Sequence, residues 1–508
     1  MSIVQTFKRY FKVEQDNPPK FQQYSTFAIF GFMIICQYIK NFLYTLVPRK
    51  FFFLKIANNL EINSLTILRE HPIEDDLPPL PFKRTSTEGQ LAGFKHEVHS
   101  KWAPTLNSFS SLYNVGAYSR AKTCFHREIA SCPTDVVKVR TQDGSLDTVI
   151  NICSYNYLGF AATDFATEKL MACAKTYGIG SYINRSAKDM QIFQDLETKM
   201  KNFMQVEDCI VHTMGYDTNA MSIPCIATPK SLIISDQFNH NSIVKGCQYS
   251  GAKTARFKHS DLSTLEKVLS QDLKKYDRVI VICEGLYSME GSFVDLPAVV
   301  KLREKYGFLL FVDEAHSVGA LGQHGQGVRD YFELPIDCVD FYMGTFTKSF
   351  ASTGGYVAGK KYLIDEIRNK SHYFNQAMGM SPVFAQQIIQ ALDFMEHDQG
   401  KKVNKLKANS IRMRSGLKKL GFTVYGNDDS PVIPLLFYNP TKMNYLSDEL
   451  LRRKIAAVVV AFPAVPIVSA RIRFCMSASH TDEEIDYILK HMDQIGDFLS
   501  IKFEPVQK

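Results

Sequence analysis

Phe308-Leu309-Leu310-Phe311-Val312 runs directly into Asp313-Glu314-Ala315-His316. One β-unit further on, Val339–Met343 runs into Gly344-Thr345-Phe346-Thr347-Lys348-Ser349-Phe350. Each apolar run is short and uninterrupted, which is how a strand covered by helices on both faces reads. Five more β-rich runs, Cys209–Thr213, Ser231–Ser235, Thr254–Phe257, Arg278–Cys283 and Gly355–Gly359, alternate with helical stretches. Seven strands separated by helices predict a doubly wound α/β domain. Functional groups of such a sheet lie just past the carboxyl ends of its strands. Asp313 and Lys348 both fall there.

A nucleotide-hydrolysing DEAH box is excluded by what surrounds it. The nearest phosphate-loop spacing, Gly354-Gly355-Tyr356-Val357-Ala358-Gly359-Lys360-Lys361, has Lys361 where a Ser or Thr must hold magnesium, and it follows Asp313 instead of preceding it. A lysine and a buried carboxylate at neighbouring strand ends are instead what pyridoxal phosphate (PLP) requires. The lysine carries the cofactor, and the carboxylate keeps the pyridine nitrogen protonated so that the ring acts as an electron sink.

Charge separates the N-terminus from the rest. Of the net charge of +7 over 508 residues, residues 1–60 carry +6, from eight basic and two acidic side chains. A near-neutral body offers no electrostatic footprint for nucleic acid. The 11 cysteines, with no C-x-x-C pair, read as reduced cytosolic thiols. Residues 21–39 hold no charged side chain, and apolar residues resume at Phe42, with Phe51-Phe52-Phe53 beyond. This predicts a membrane-attached helix that either spans the bilayer or lies in its plane. Basic residues on both sides leave its orientation open. The proline-rich run 71–81 reads as an extended linker. From about residue 385, helical patterns precede strand-like Pro431–Phe437, Ala456–Ala461 and Arg471–Met476 and a closing helix from about Asp482. The expected division is a membrane-anchoring segment at 1–60, a linker and arm at 61–150, a large cofactor-binding domain at 151–385 and a smaller α/β domain at 386–508.

Five runs, in order, resemble the α-oxoamine synthases. They are Ser154-Tyr155-Asn156-Tyr157-Leu158-Gly159-Phe160, Asp236-Gln237-Phe238-Asn239-His240, Glu284-Gly285-Leu286-Tyr287-Ser288-Met289-Glu290-Gly291, the DEAH run and the GTFTKSF run. The resemblance covers about residue 110 to the C-terminus. It implies the PLP-dependent transferase fold type I, with a seven-stranded, mostly parallel sheet in the large domain and a smaller C-terminal α/β domain. Thr347 before the lysine, Gly354-Gly355-Tyr356 and Ser430-Pro431-Val432-Ile433-Pro434 are similar to the lysine-bearing subunit of members that join L-serine to a long-chain acyl-CoA. Sister synthases using other amino acids typically have Gly before the lysine and lack an anchor.

The resemblance further implies roles. Lys348 carries PLP and shuttles the substrate's α-proton, Asp313 pairs with the pyridine nitrogen, and His240 stacks on the ring. His316 and Ser288 lie near the 3′-oxygen, and Thr345 with the N–H groups of Gly215 and Tyr216 holds the phosphate. Arg473 takes the substrate carboxylate, with Arg471 as competitor. No metal is expected. It also implies condensation of L-serine with palmitoyl-CoA to 3-ketosphinganine, a heterodimer with a paralogous subunit lacking the lysine, and the endoplasmic reticulum membrane with the catalytic domain facing the cytosol. The alternatives are a synthase using glycine or alanine, or a non-catalytic scaffold subunit. Three places depart from the family pattern: Val465 stands where Thr is usual, Ala351 where Gly is usual, and Gly178–Asp195 lacks an expected Cys-Ser-x-Arg. The sequon Asn184-Arg185-Ser186 reads as a chance match.

Overall fold

The computed structural model describes residues 24–28, 32, 124 and 127–505, except 142–143, 163, 182–189, 463 and 467. The rest of the basic N-terminal segment, the linker at 71–81 and the sequon lie outside the described residues. No helix among the described residues is long and apolar enough to cross a membrane. The chain divides into two compact units, Met1–Thr123 and Cys124–Lys508, and every strand among the described residues lies in the second.

A hairpin of β1 (Val136–Arg140) and β2 (Leu146–Asn151) opens this unit. All seven β-rich runs then appear as strands: β3 (Asp208–His212), β4 (Leu232–Asp236), β5 (Lys253–Phe257), β6 (Val279–Glu284), β7 (Leu309–Asp313), β8 (Phe341–Thr345) and β9 (Gly355–Gly359). They form one sheet in the order β3-β9-β8-β7-β6-β4-β5, parallel except for β9, which runs antiparallel to both of its neighbours.

Side-chain parity explains why these runs carry no polar alternation. Val281, Leu310, Val312 and Tyr342 point into a core shared with the helices Gln191–Met204 and Pro382–Asp398. Their neighbours Ile280, Ile282, Phe311, Phe341 and Met343 point the other way, into a core shared with the helices Gly215–Ile226 and Lys361–Lys370. With both faces covered, these central positions are apolar on both sides, whereas the edge strand β5 keeps exposed Lys253, Thr254 and Arg256.

Towards the C-terminus come β10 (Val432–Tyr438), β11 (Ile455–Ala456), β12 (Val458–Val460) and β13 (Ala470–Cys475). The sheet β10-β13-β12 is antiparallel, and β11 joins β2. The closing helix Asp482–Leu499 starts with a capping box between Thr481 and Glu484, a reciprocal arrangement that satisfies two otherwise open N–H groups. The segment 151–158 is tied to this part of the chain. Cys475 N–H donates to the Ile152 carbonyl at 2.8 Å, Ala478 N–H donates to the Tyr157 carbonyl at 2.8 Å, and Ser477 Oγ donates to the Asn156 carbonyl at 2.7 Å. These bonds carry Tyr155 and Tyr157 to the rim of the large sheet.

Candidate active site

The carboxyl ends of β6, β7 and β8 set Glu284, Asp313 and Thr345 along one rim, with Glu284 directly opposite Asp313 in the strand register. Asp313 is 3% exposed. Its Oδ1 accepts from the Ala315 N–H at 2.8 Å, and its Oδ2 accepts from Asn219 Nδ2 at 2.7 Å. A buried carboxylate is thereby satisfied without a cation.

Lys348 follows β8 in a tight turn. Phe346 N–H bonds the Gly354 carbonyl at 2.9 Å, and Ala351 N–H bonds the Lys348 carbonyl at 3.1 Å. Phe346 and Phe350 are fully buried, their rings 5.6 Å apart, which pins the turn from both sides and leaves Lys348 partly buried between them. Burial draws its ammonium down to about 8, against the opposing pull of Asp313 and Glu284 and with help from the positive charge of Arg473. Ala351 is held at φ 49°, the left-handed region that favours glycine.

An anion cup lies beside this turn. The helix Gly215–Ile226 begins with no side chain capping it, so its first N–H groups are left to an external acceptor. A Cβ on Gly215 would sit 2.5 Å from Thr345 Oγ1, so glycine keeps the space between them open. Thr345 Oγ1 itself lies 2.9 Å from the Gly354 carbonyl and 2.8 Å from Thr347 Oγ1. The open N–H groups at this helix start, beside a Thr345 hydroxyl that now donates to the Gly354 carbonyl and can turn to an anion, suit the phosphate of PLP, and with Lys348 and Asp313 the residues fit that cofactor.

His240 caps the helix Asn241–Ser250, its Nδ1 accepting from Ser242 N–H, and its ring meets Tyr216 edge-on at 6.1 Å. Burial lowers its basicity, with Asp313 raising it and Lys348 lowering it further. His316 Nδ1 lies 2.8 Å from the Tyr157 hydroxyl, and burial together with Lys348 and Arg473 holds its imidazole well below the usual range. Ser288 is partly buried in the turn that the Leu286–Phe293 bridge closes. Arg473 lies with its guanidinium 4.8 Å from the centre of the Tyr155 ring, and its buried Nε has no hydrogen-bond partner. Arg471 is engaged by the Ser469 carbonyl at 3.0 Å, the Met289 carbonyl at 2.9 Å and Glu290 at 3.6 Å.

Three residues outside the expected set belong here. The Tyr155 ring lies between Arg473, Lys348 Nζ at 5.8 Å and the His316 ring at 4.9 Å. Glu284 accepts from the His240 N–H, and burial first, then Asp313, raises its carboxyl well above the usual range. Asn219 holds Asp313 as described. Glu284 was discernible as the last residue of a strand next to that of Asp313. Asn219, inside a helix, carries no local signal. Glu314, the neighbour of Asp313, points away from the site, accepting from Val328 N–H at 3.0 Å and from Ser317 Oγ, and burial raises its carboxyl to about 7.

The family model for aminotransferase class I and II matches residues 147–492, which defines the class as an α/β transferase of fold type I. The chain is 38% identical over 444 residues to serine palmitoyltransferase 3 of Mus musculus, covering 82% of this chain and 79% of that one. It is 39% identical over 428 residues to serine palmitoyltransferase 2 of Schizosaccharomyces pombe, covering 79% and 71%. A solved SPT structure with a PLP internal aldimine superposes with a TM-score of 0.72 at 24% identity, over 78% of this chain and all of that one, a likeness of fold. The chain belongs to the aminotransferase class I and II family and, within it, to the family of the serine palmitoyltransferases.

Proposed function

We propose that this chain is the catalytic, lysine-bearing subunit of a PLP-dependent acyltransferase that condenses L-serine with palmitoyl-CoA to 3-ketosphinganine, opening sphingoid-base synthesis. The observation that carries the reading is the meeting of Lys348, drawn down to about 8, and Arg473, with its unpartnered Nε, around the Tyr155 ring, one strand away from the Asp313 carboxylate.

In this reading the open N–H groups of Gly215 and Tyr216 and the Thr345 hydroxyl hold the phosphate. Lys348 Nζ would hold the aldehyde carbon, Asp313 would hold the pyridine nitrogen, His240 would cover the ring face, and His316 and Ser288 would serve the 3′-oxygen. When bound, PLP supplies an electron sink for negative charge developing at the substrate α-carbon. Arg473 orients the serine carboxylate by a charge-assisted, two-pronged contact. Lys348, its ammonium drawn down to about 8 by burial, takes the α-proton and returns it. In the overall reaction a bond forms between the serine α-carbon and the acyl carbonyl carbon. The thioester C–S bond breaks to release CoA as a thiolate that takes a proton from solvent, and the α-carbon loses its carboxylate as CO2 and takes up the proton that Lys348 returns.

The basic, apolar N-terminal segment would hold the chain at the endoplasmic reticulum membrane, where acyl substrate and product partition. A paralogous subunit lacking the lysine would complete a heterodimer. The test is a product assay on membranes from cells expressing the chain with such a partner, supplied with labelled serine, glycine or alanine and palmitoyl-CoA. A long-chain 3-keto amine from serine, abolished by Lys348→Ala, is expected. Product from glycine or alanine alone would move the chain to a sister activity, and product surviving Lys348→Ala would make it a scaffold.

A further inference from the structure

Asp313 and His240 are joined by a buried chain of hydrogen bonds that passes through the side chains of Asn219 and Ser242. Asn219 is 1% exposed. Its Nδ2 lies 2.7 Å from Asp313 Oδ2 and 3.0 Å from Ser242 Oγ, and Ser242 Oγ lies 2.8 Å from His240 Nδ1. We propose that Asn219 is a positioning residue that anchors the Asp313 carboxylate and, through Ser242, holds His240 as the neutral imidazole with its proton on Nε2. The proposal deepens the PLP reading above, but the placement of the proton follows from the protein's own donors and acceptors.

The donor inventory drives the argument. A primary amide carries two hydrogens on nitrogen and none on oxygen. Turning the Asn219 amide over would press Oδ1 against the Asp313 carboxylate, acceptor against acceptor. Nitrogen therefore faces Asp313, and its two hydrogens serve Asp313 and Ser242. Asn219 Oδ1, left over, has no partner. Ser242 Oγ, already accepting one hydrogen, has its own hydrogen to give, and His240 Nδ1 is the acceptor within reach. The Ser242 main-chain N–H also aims at Nδ1, at 3.3 Å. Two donors converge on one ring nitrogen, so that nitrogen keeps its lone pair and the ring proton sits on Nε2. The other groups around His240 do not supply a competing acceptor at Nδ1. Tyr216 meets the ring by its edge, Glu284 is engaged by the main-chain N–H, and Asp313 and Lys348 act on the ring at a distance with opposite signs. The consequence is an uncharged ring face, so that Asp313 alone answers the charge of the pyridine nitrogen.

The experiment uses the full-length, cofactor-free chain with [15N]histidine, its His240 signal assigned by its absence in His240→Gln. A pyrrole-type Nε2 and an unprotonated Nδ1 are expected at neutral pH. Ser242→Ala and Asn219→Ala should each raise the proton affinity of His240 roughly three- to tenfold, the worth of one hydrogen bond, and Ser242→Thr should restore it. Asn219→Ala should also weaken PLP binding, followed by quenching of protein fluorescence, about tenfold, whereas Ser242→Ala should not. A proton on Nδ1 in the unaltered chain, or a His240 titration indifferent to Ser242→Ala, would overturn the proposal, even if Asn219→Ala proved too unstable to measure. A chain with the expected tautomer that fails to bind PLP would instead overturn the cofactor reading and leave the proton placement standing.

Discussion

Arg471 and Arg473 stand two residues apart on β13 with their side chains on the same face, 1% and 7% exposed, yet their surroundings are opposite. Arg471 is spent on two main-chain carbonyls and on Glu290, whereas Arg473 rests on Tyr155 with an unpartnered Nε and no carboxylate within ion-pair distance among the described residues. The proposed substrate arginine is therefore Arg473. Arg473→Ala should raise KM for serine by about 10–100-fold, the worth of a charge-assisted contact, with little change in melting temperature. Arg471→Ala should act on stability, by about 2 kcal/mol, because two buried carbonyls lose their donor. Serine titration and thermal unfolding of both variants separate the two roles, and an exchange of these phenotypes would reverse the assignment.

Lys348 sets a second expectation. With its ammonium drawn down to about 8 by burial, the reactive neutral amine is the minor form below that pH and the major form above it. The rate at which the cofactor-free chain takes up PLP should rise about tenfold per pH unit up to about pH 8 and then level. A rate still climbing at about pH 10 would mean the lysine keeps its ordinary basicity.

The anion cup depends on the missing side chain of Gly215. Gly215→Ala places a methyl 2.5 Å from Thr345 Oγ1, inside the space assigned to the phosphate. Alanine is the better helix former, so the fold should persist while PLP affinity falls by at least about tenfold. Equilibrium dialysis of PLP checks this, and unchanged affinity would move the phosphate elsewhere.

Ala351, where the family resemblance leads one to expect glycine, holds a φ of 49° at the cost of local strain. Ala351→Gly relieves that strain but frees the unfolded chain, so the net gain should be modest, about 0.5–1 kcal/mol, seen as a higher melting temperature.

Glu314 predicts a pH dependence of stability. Its folded carboxyl is raised to about 7, so the folded chain holds a proton that the unfolded chain releases near 4.5. The associated stability is present below about pH 4.5 and lost as pH rises through about 7. Glu314→Gln should flatten that slope, on the order of 3 kcal/mol, in denaturant titrations across this range.

Much of this molecule was legible before its structure. Strands covered on both faces have no polar side, so each reads as an unbroken apolar run whatever its neighbours, and the residues just after such runs, Asp313 and Lys348 among them, announce themselves by position. Local sequence does not encode which strands become neighbours. Nothing in Gly355–Gly359 says that it inserts antiparallel between β3 and β8, because sheet order is settled by helix packing and chain crossing. The same limit applies to Asn219, whose partner Asp313 is 94 residues away, and to the two arginines, which strand parity puts on one face. The packing of the Met289–Glu290 turn against β13 spends Arg471 on an oxygen acceptor and a carboxylate, and gives Arg473 only the soft Met289 sulfur at 3.5 Å, leaving its Nε unpartnered. The sequence by itself determined which residues could do chemistry. The tertiary structure decided which of them have donors and acceptors to spare, because hydrogen-bond satisfaction depends on neighbours brought from distant parts of the chain.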